Sequence, residues 1–222
     1  MMLRVEDLAV FVDGKEVVKE VSAEFEGVSI LMGPNGSGKS SFAFAIAGHP
    51  KYKTRGKVFL GEKEISKLKP EERARLGTFL AFQNPPEIEG LLMKRFASML
   101  SEKYEEEAKN AGVENLLERS LNYKFSGGEK KRSELFQLLL LKPKFAILDE
   151  IDSGLDVEGI KKISEMIENM KTTSFLFITH NPEAAEMMKA GMVFVMLDGK
   201  IVRRGGSEII KIIKEEGYAW LR

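Results

Sequence analysis

Val28-Ser29-Ile30-Leu31-Met32-Gly33-Pro34-Asn35-Gly36-Ser37-Gly38-Lys39-Ser40-Ser41 is the stretch on which the fold turns. A short apolar run of the length of a buried strand stops at glycine, and Ser40 to Ala47 continues as an apolar helix. Strand, glycine-rich loop and helix, in that order, are the context that the GxxxxGK[ST] pattern requires. There the glycines let the backbone wrap a β-phosphate, Lys39 bridges the β and γ oxygens, and Ser40 ligates magnesium. Gly33, Pro34, Asn35, Gly36, Ser37, Gly38, Lys39, Ser40 and Ser41 are therefore the candidate contacts of a magnesium nucleotide.

A second stretch, Ser126-Gly127-Gly128-Glu129, opens the helical run Lys130 to Leu141. Both stretches place small residues at a helix N-terminus, where unpaired N–H groups and the helix dipole favour an anion. Only the first has the lysine and hydroxyl for a nucleotide, and one acidic pair, Asp149-Glu150, is there to serve it. The simplest reading is half of a shared site, with the second anion pocket covering a nucleotide held by another copy of the chain.

Outward from the loop, Leu3 to Phe25 alternates around Asp13-Gly14 and predicts an antiparallel hairpin. Lys57 to Ile65 predicts a further hairpin around Gly61, Pro70 to Leu76 a short helix, and Thr78 to Phe82 a strand leading to Gln83. Leu91 to Leu121 is helical in period, rich in Lys and Glu, and without strand signals. Phe145 to Leu148 is a buried-type strand ending in Asp149 and Glu150. Helix Val157 to Met170, strand Ser174 to Thr179, helix Glu183 to Lys189, strand Val193 to Leu197, a hairpin at Asp198-Gly199 and a helix from Glu208 follow. The alternation implies an α/β fold of P-loop type: a mainly parallel sheet with an N-terminal antiparallel β region and a helical insertion, ligands lying at the strand C-terminal ends. The expected organisation is one domain over residues 1–222, with a catalytic core of 1–86 and 144–222 and a helical segment of 87–143.

At a strand tip Asp149 can hold magnesium directly or through water. Glu150, one residue further, is suited to polarise an attacking water as general base. Gln83 follows a strand and can reach the metal or the water. His180 follows the strand Phe175 to Thr179 and so lies at the same edge, within reach of a γ-phosphate. His49, in Gly48-His49-Pro50, reads as an ordinary surface residue.

Lys plus Arg and Asp plus Glu are each 34, so no global field draws the chain to nucleic acid or an anionic membrane surface. No uncharged run approaches the roughly 18 residues that span a bilayer, and Met1 to Asp7 lacks the apolar core of a signal peptide. A cytoplasmic protein with no direct membrane insertion is expected. The absence of cysteine excludes disulfides and thiolate-ligated zinc or iron–sulfur sites within this chain.

The order of phosphate loop, Gln83, Ser126-Gly127-Gly128, Ile147-Leu148-Asp149-Glu150, Ser153-Gly154-Leu155-Asp156 and His180 resembles the nucleotide-binding domain of ABC ATPases over essentially the whole chain. The resemblance implies two domains paired head to tail around two ATP molecules with Mg²⁺. Lys39, Ser40, Gln83, Asp149, Glu150 and His180 then belong to one half-site, with Glu150, His180 and Gln83 catalytic and Ser40, Gln83 and Asp149 at the metal. Ser126, Gly127 and Gly128 complete the opposite half-site, and Asp156 lies at the dimer interface.

A further set resembles the SufC branch, the ATPases of the Suf iron–sulfur cluster assembly system. It comprises Ala81 to Ile88, Arg119-Ser120-Leu121-Asn122, Phe125 to Arg132, Asp152 to Asp156, and the ending Gly217-Tyr218-Ala219-Trp220-Leu221. That resemblance implies SufB/SufD-like scaffold proteins as partners, and the alternative is the ATPase subunit of an ABC membrane transporter. Two departures stand out: Val12, with Phe11 beside it, replaces the aromatic that stacks on adenine, and the segment from Gln83 to Ser126 is short for the family.

Overall fold

A computed structural model describes residues 1–221 of the chain. β1 (Leu3–Val12) and β2 (Lys15–Phe25) form the expected hairpin, with Val12 opposite Lys15 across Asp13 and Gly14, both at positive φ. β3 (Val28–Met32), α1 (Lys39–Ala47), β4 (Lys53–Leu60), β5 (Lys63–Glu64), α2 (Pro70–Leu76) and β6 (Thr78–Ala81) follow. β4 starts four residues before the expected Lys57. Residues 53 to 57 are exposed and polar, without alternation, yet their backbone pairs with β1 from Phe11 back to Glu6. Main-chain pairing, rather than a buried face, defines that part of the strand.

The middle of the chain holds α3 (Met93–Leu100), α4 (Tyr104–Ala111) and α5 (Gly127–Leu141). Its helical reading needs one correction. Around a turn at Glu89-Gly90 and the start of α3, Ile88, Leu91, Met93 and Lys94 exchange backbone hydrogen bonds with Leu117, Arg119 and Leu121, with an isolated bridge at Leu92 and Ser120. The pairing is too short to leave an alternating pattern.

β7 (Phe145–Asp149), α6 (Val157–Asn169), β8 (Ser174–Thr179), α7 (Pro182–Met187), β9 (Met192–Leu197), β10 (Lys200–Gly205) and α8 (Glu208–Glu216) complete the chain. One sheet has the order β2-β1-β4-β5, and the other β10-β9-β3-β8-β7-β6. In the second, β3 is parallel to both β8 and β9, β7 is parallel to β8, and β10 returns antiparallel to β9. β3, β7 and β8 read as continuous apolar runs because both faces are covered, and Ile30, Leu31, Leu148 and Phe177 are fully buried. α1 packs against β1, β2, β4 and β7, which puts it between the two sheets.

Parallel register decides where the chemistry lies. Met32 pairs with Thr179 and Asp149 with Ile178, so β3, β7 and β8 end level at one edge. The residues that follow, Gly33 to Lys39, Glu150 and His180, emerge there together.

The chain divides into two compact units: Met1–Leu80 with the chain from Lys144 onward, and Ala81–Pro143. No helix among the described residues is long and apolar enough to cross a membrane.

Candidate active site

Gly38 caps α1 with φ 106°, in the left-handed region, and turns the loop so that the first amides of the helix face outward. At Gly33 a Cβ would come within 2.3 Å of the Met196 carbonyl oxygen, so the backbone of β9 leaves no room for a side chain where the loop begins. Two further bonds fix the curl: Ser37 N–H donates to the Pro34 carbonyl at 3.2 Å, and Gly199 N–H donates to the Ser37 carbonyl at 2.9 Å.

Lys39 lies inside this curl, buried, its Nζ donating to the carbonyls of Gly33 at 2.8 Å and Pro34 at 3.0 Å. Burial lowers its pKa, while the negative charges of Glu150 and Asp149 oppose that shift. A phosphate entering the loop would meet an ammonium already held at its centre by neutral acceptors, which it can outcompete as a charged one. Tyr218, from the chain's end, has its hydroxyl buried beside the Gly33 backbone, and burial pushes its pKa up to about 12. Nothing in the sequence tied Tyr218 to the loop, because 185 positions separate it from Gly33.

Asp149 is 3% exposed at the last position of β7. Burial pushes its carboxyl up to about 6 against a hydrogen bond from the Ser40 hydroxyl; the Glu150 charge adds to the rise and Lys39 opposes it. Its Oδ1 is buried and has no hydrogen-bond partner among the described residues. A buried carboxylate with one oxygen on Ser40 and the other unused suits a hard cation. Among the described residues no group of three or more His, Cys, Asp or Glu gathers to hold a metal by itself. Magnesium is commonly bound by one or two carboxylates together with substrate phosphates and water. Ser40 and Asp149 fit the ion.

Glu150 takes φ 51°, a left-handed conformation that costs a non-glycine residue about 1 kcal/mol or more. Its N–H still donates to the Ile178 carbonyl at 2.9 Å, and the turn carries its Oε1 to 3.3 Å from Nδ1 of His180. Glu150 is largely covered and His180 half-exposed, so the pair has one face in the fold and one toward solvent.

The second unit carries Gln83 and the Ser126 stretch. Gln83 is exposed in the bend after β6. Ser126 caps α5: its hydroxyl accepts from Glu129 N–H at 3.3 Å, and Glu129 Oε2 accepts from Ser126 N–H at 2.7 Å. This reciprocal cap extends the helix to Gly127, three residues earlier than Lys130.

A sequence profile described as ABC transporter matches residues 20–153. The chain belongs to the ABC transporter family. It is an ABC ATPase, binding and hydrolysing ATP. It is 39% identical to vegetative protein 296 of Bacillus subtilis (strain 168), over 99% of this chain and 93% of the relative. It is 40% identical to a probable ABC transporter ATP-binding protein of Streptococcus pyogenes serotype M18, over 98% of this chain and 94% of the relative. A solved ATP-binding subunit of an ABC transporter superposes with a TM-score of 0.81 at 24% identity, covering 98% of this chain and 94% of that one, a likeness of fold.

Proposed function

We propose that this ABC ATPase works in the cytoplasm as the motor of iron–sulfur cluster assembly, closing head to tail with a second copy around Mg²⁺-ATP and driving a SufB/SufD-type scaffold. The observation that carries this reading is a cluster in the second unit. Arg119 stacks 4.6 Å over Phe125, and donates to Glu129 Oε1 at 2.8 Å and to the Lys124 carbonyl at 3.1 Å. Asn122 Nδ2 donates to the Pro86 carbonyl at 3.1 Å, and Glu87 accepts from Lys130 Nζ at 2.7 Å. Each of these residues except Lys124 belongs to the set that resembles the SufC branch, and they touch one another. Three of the five stretches of that set, Ala81 to Ile88, Arg119 to Asn122 and Phe125 to Arg132, thus meet in one cluster rather than lying scattered.

Head-to-tail pairing has its own support. A Cβ at Gly127 would meet nothing within 4 Å, and at Gly128 only the tip of Arg132 at 3.7 Å; neither glycine is at positive φ. Nothing among the described residues demands glycine at either place. A ligand approaching the exposed start of α5 from outside does, since close approach to its amides needs the surface bare.

In the proposed reaction the loop amides and Lys39 hold the β- and γ-phosphates, and Ser40 and Asp149, with Gln83 by family resemblance, hold magnesium. Bound there, the ion neutralises charge on the phosphate oxygens. Glu150 orients the attacking water and takes its proton, and His180 steadies Glu150 while its exposed edge meets the γ-phosphate. Burying ATP between two copies favours the closed dimer, and hydrolysis releases it, which is the differential affinity a mechanical cycle needs.

The other reading is the ATPase subunit of a membrane transporter, favoured by the Streptococcus pyogenes relative, whose name says ABC transporter ATP-binding protein. Detergent-free affinity purification from the native cells, followed by mass identification, separates the two. A water-soluble scaffold rich in cysteine or histidine supports cluster assembly. A partner with several spanning helices, recovered only with detergent, overturns it.

A further inference from the structure

β8 ends at Thr179, and from there to Asn181 it runs beside the segment Asp149 to Asp152. Three bonds close the two together: Glu150 N–H to the Ile178 carbonyl at 2.9 Å, Glu150 Oε1 with His180 Nδ1 at 3.3 Å, and Thr179 Oγ1 donating to Asp152 Oδ2 at 2.7 Å. The last is the buried one, with Thr179 0% and Asp152 4% exposed. Thr179 Oγ1 also accepts from Asn181 N–H at 2.9 Å, so a single hydroxyl fixes the backbone on both sides of His180. Asn181 goes on to cap α7 through Glu183 N–H and Ala184 N–H.

Asp152 sits equally centrally on its own side. Ser153 N–H donates to the Glu150 carbonyl and Leu155 N–H to that of Asp152, each at 3.1 Å, and Asp156 caps α6 by accepting from Gly159 N–H at 2.8 Å. Residues 150 to 156 are thus a double turn that Glu150 and Asp152 tie to the end of β8. Ser153, Gly154 and Asp156 are exposed along its outer side.

We infer that Thr179 and Asp152 are a positioning pair for ATP hydrolysis: their buried bond ties the His180 tip to the 150–156 turn and so holds the Glu150–His180 geometry. The inference rests on the proposed roles of Glu150 and His180. Physically, a neutral hydroxyl on an acid buried in the fold is a short and strong link, and a shift of about 1 Å at reacting groups costs on the order of 10²-fold in rate.

The test is steady-state ATPase activity and binding of a fluorescent ATP analogue for Thr179→Val, Thr179→Ser, Asp152→Ala, His180→Ala and the double variant Thr179→Val/His180→Ala, each below its own melting temperature. Expected are a kcat reduced about 10-fold or more for Thr179→Val and Asp152→Ala, analogue binding within about 3-fold of wild type, and recovery in Thr179→Ser. The double variant should lose no more than His180→Ala alone, as required of residues acting through one another. If His180→Ala leaves kcat unchanged, the reading of His180 itself fails. If His180→Ala slows turnover while both single variants of the pair keep full kcat, or if the losses simply add in the double variant, the pair has only a structural role and the inference is overturned. Should Thr179→Val not fold, Asp152→Ala against Thr179→Ser decides the same question.

Discussion

Glu134 Oε2 accepts the backbone N–H of Phe82 at 2.9 Å, joining the middle of α5 to the residue before Gln83 across 52 positions of sequence. The carboxylate is 3% exposed, and its other oxygen accepts from Gln137 Nε2 at 3.0 Å. Burial pushes its pKa up to about 7, with the Phe82 and Gln137 bonds opposing. A carboxyl raised in the fold above its unfolded value near 4.5 favours folding only while protonated, so its contribution falls as pH rises from about 4.5 to about 7 and stays lost above.

Glu134→Gln should therefore melt higher than wild type at pH 8, by a margin that narrows toward pH 5. The amide oxygen still accepts from Phe82, Gln137 can turn its own amide to accept, and the buried charge is gone. The upper limit is on the order of 3 kcal/mol, from a shift of about 2.5 pKa units at 1.36 kcal/mol each. Asp149, also raised, titrates in both proteins and cancels. Thermal melts between pH 5 and pH 8 check this, and a gap independent of pH would exclude a charge effect.

Glu150→Gln should bind ATP as wild type does and hydrolyse it roughly 10² to 10⁴ times more slowly, the range for losing a general base. Its amide keeps the size needed to sit beside His180 at the strand tip. With turnover blocked, an ATP-bound dimer should accumulate on size exclusion. Phosphate release at the wild-type rate would remove Glu150 from the proposed role.

Elements whose ends are marked locally were legible in the sequence, and partnerships between distant elements were not. Val28–Met32, Pro70–Leu76 and Ser174–Thr179 occupy the residues their patterns predict, because glycine, proline or a run of apolar residues marks each end locally. The same holds for the loop, Asp149 and His180, which are legible as groups following buried strands. Arg73 is the opposite case. Pro70 to Leu76 reads as a short helix, and nothing in that reading marks Arg73, which is 3% exposed and donates to the carbonyls of Ala45, Ile46, Ser66 and Leu68. It satisfies the open end of α1, a demand that exists only once α1 and α2 are side by side. Glu134, and the bond between Thr179 and Asp152, are illegible for the same reason: their partners are a backbone amide and a strand tip brought in from far along the chain.

Ser126→Arg separates the chain's own nucleotide from the one it is proposed to cover. Ser126 is exposed, so an arginine there meets no core. Loss of its hydroxyl removes the bond from Glu129 N–H and costs about 1 kcal/mol of helix stability, while Glu129 still accepts from the residue's own N–H. The expected result is analogue binding by the monomer within about 3-fold of wild type, since Gly33 to Ser40 is untouched, and loss of the ATP-bound dimer when the change is added to Glu150→Gln. The long side chain occupies the space above Gly127 and Gly128 that a second copy's γ-phosphate needs. Analogue titration and size exclusion read the two effects separately. A monomer unable to bind would place Ser126 at the chain's own phosphate loop, and an intact dimer would move the partner's nucleotide away from the start of α5.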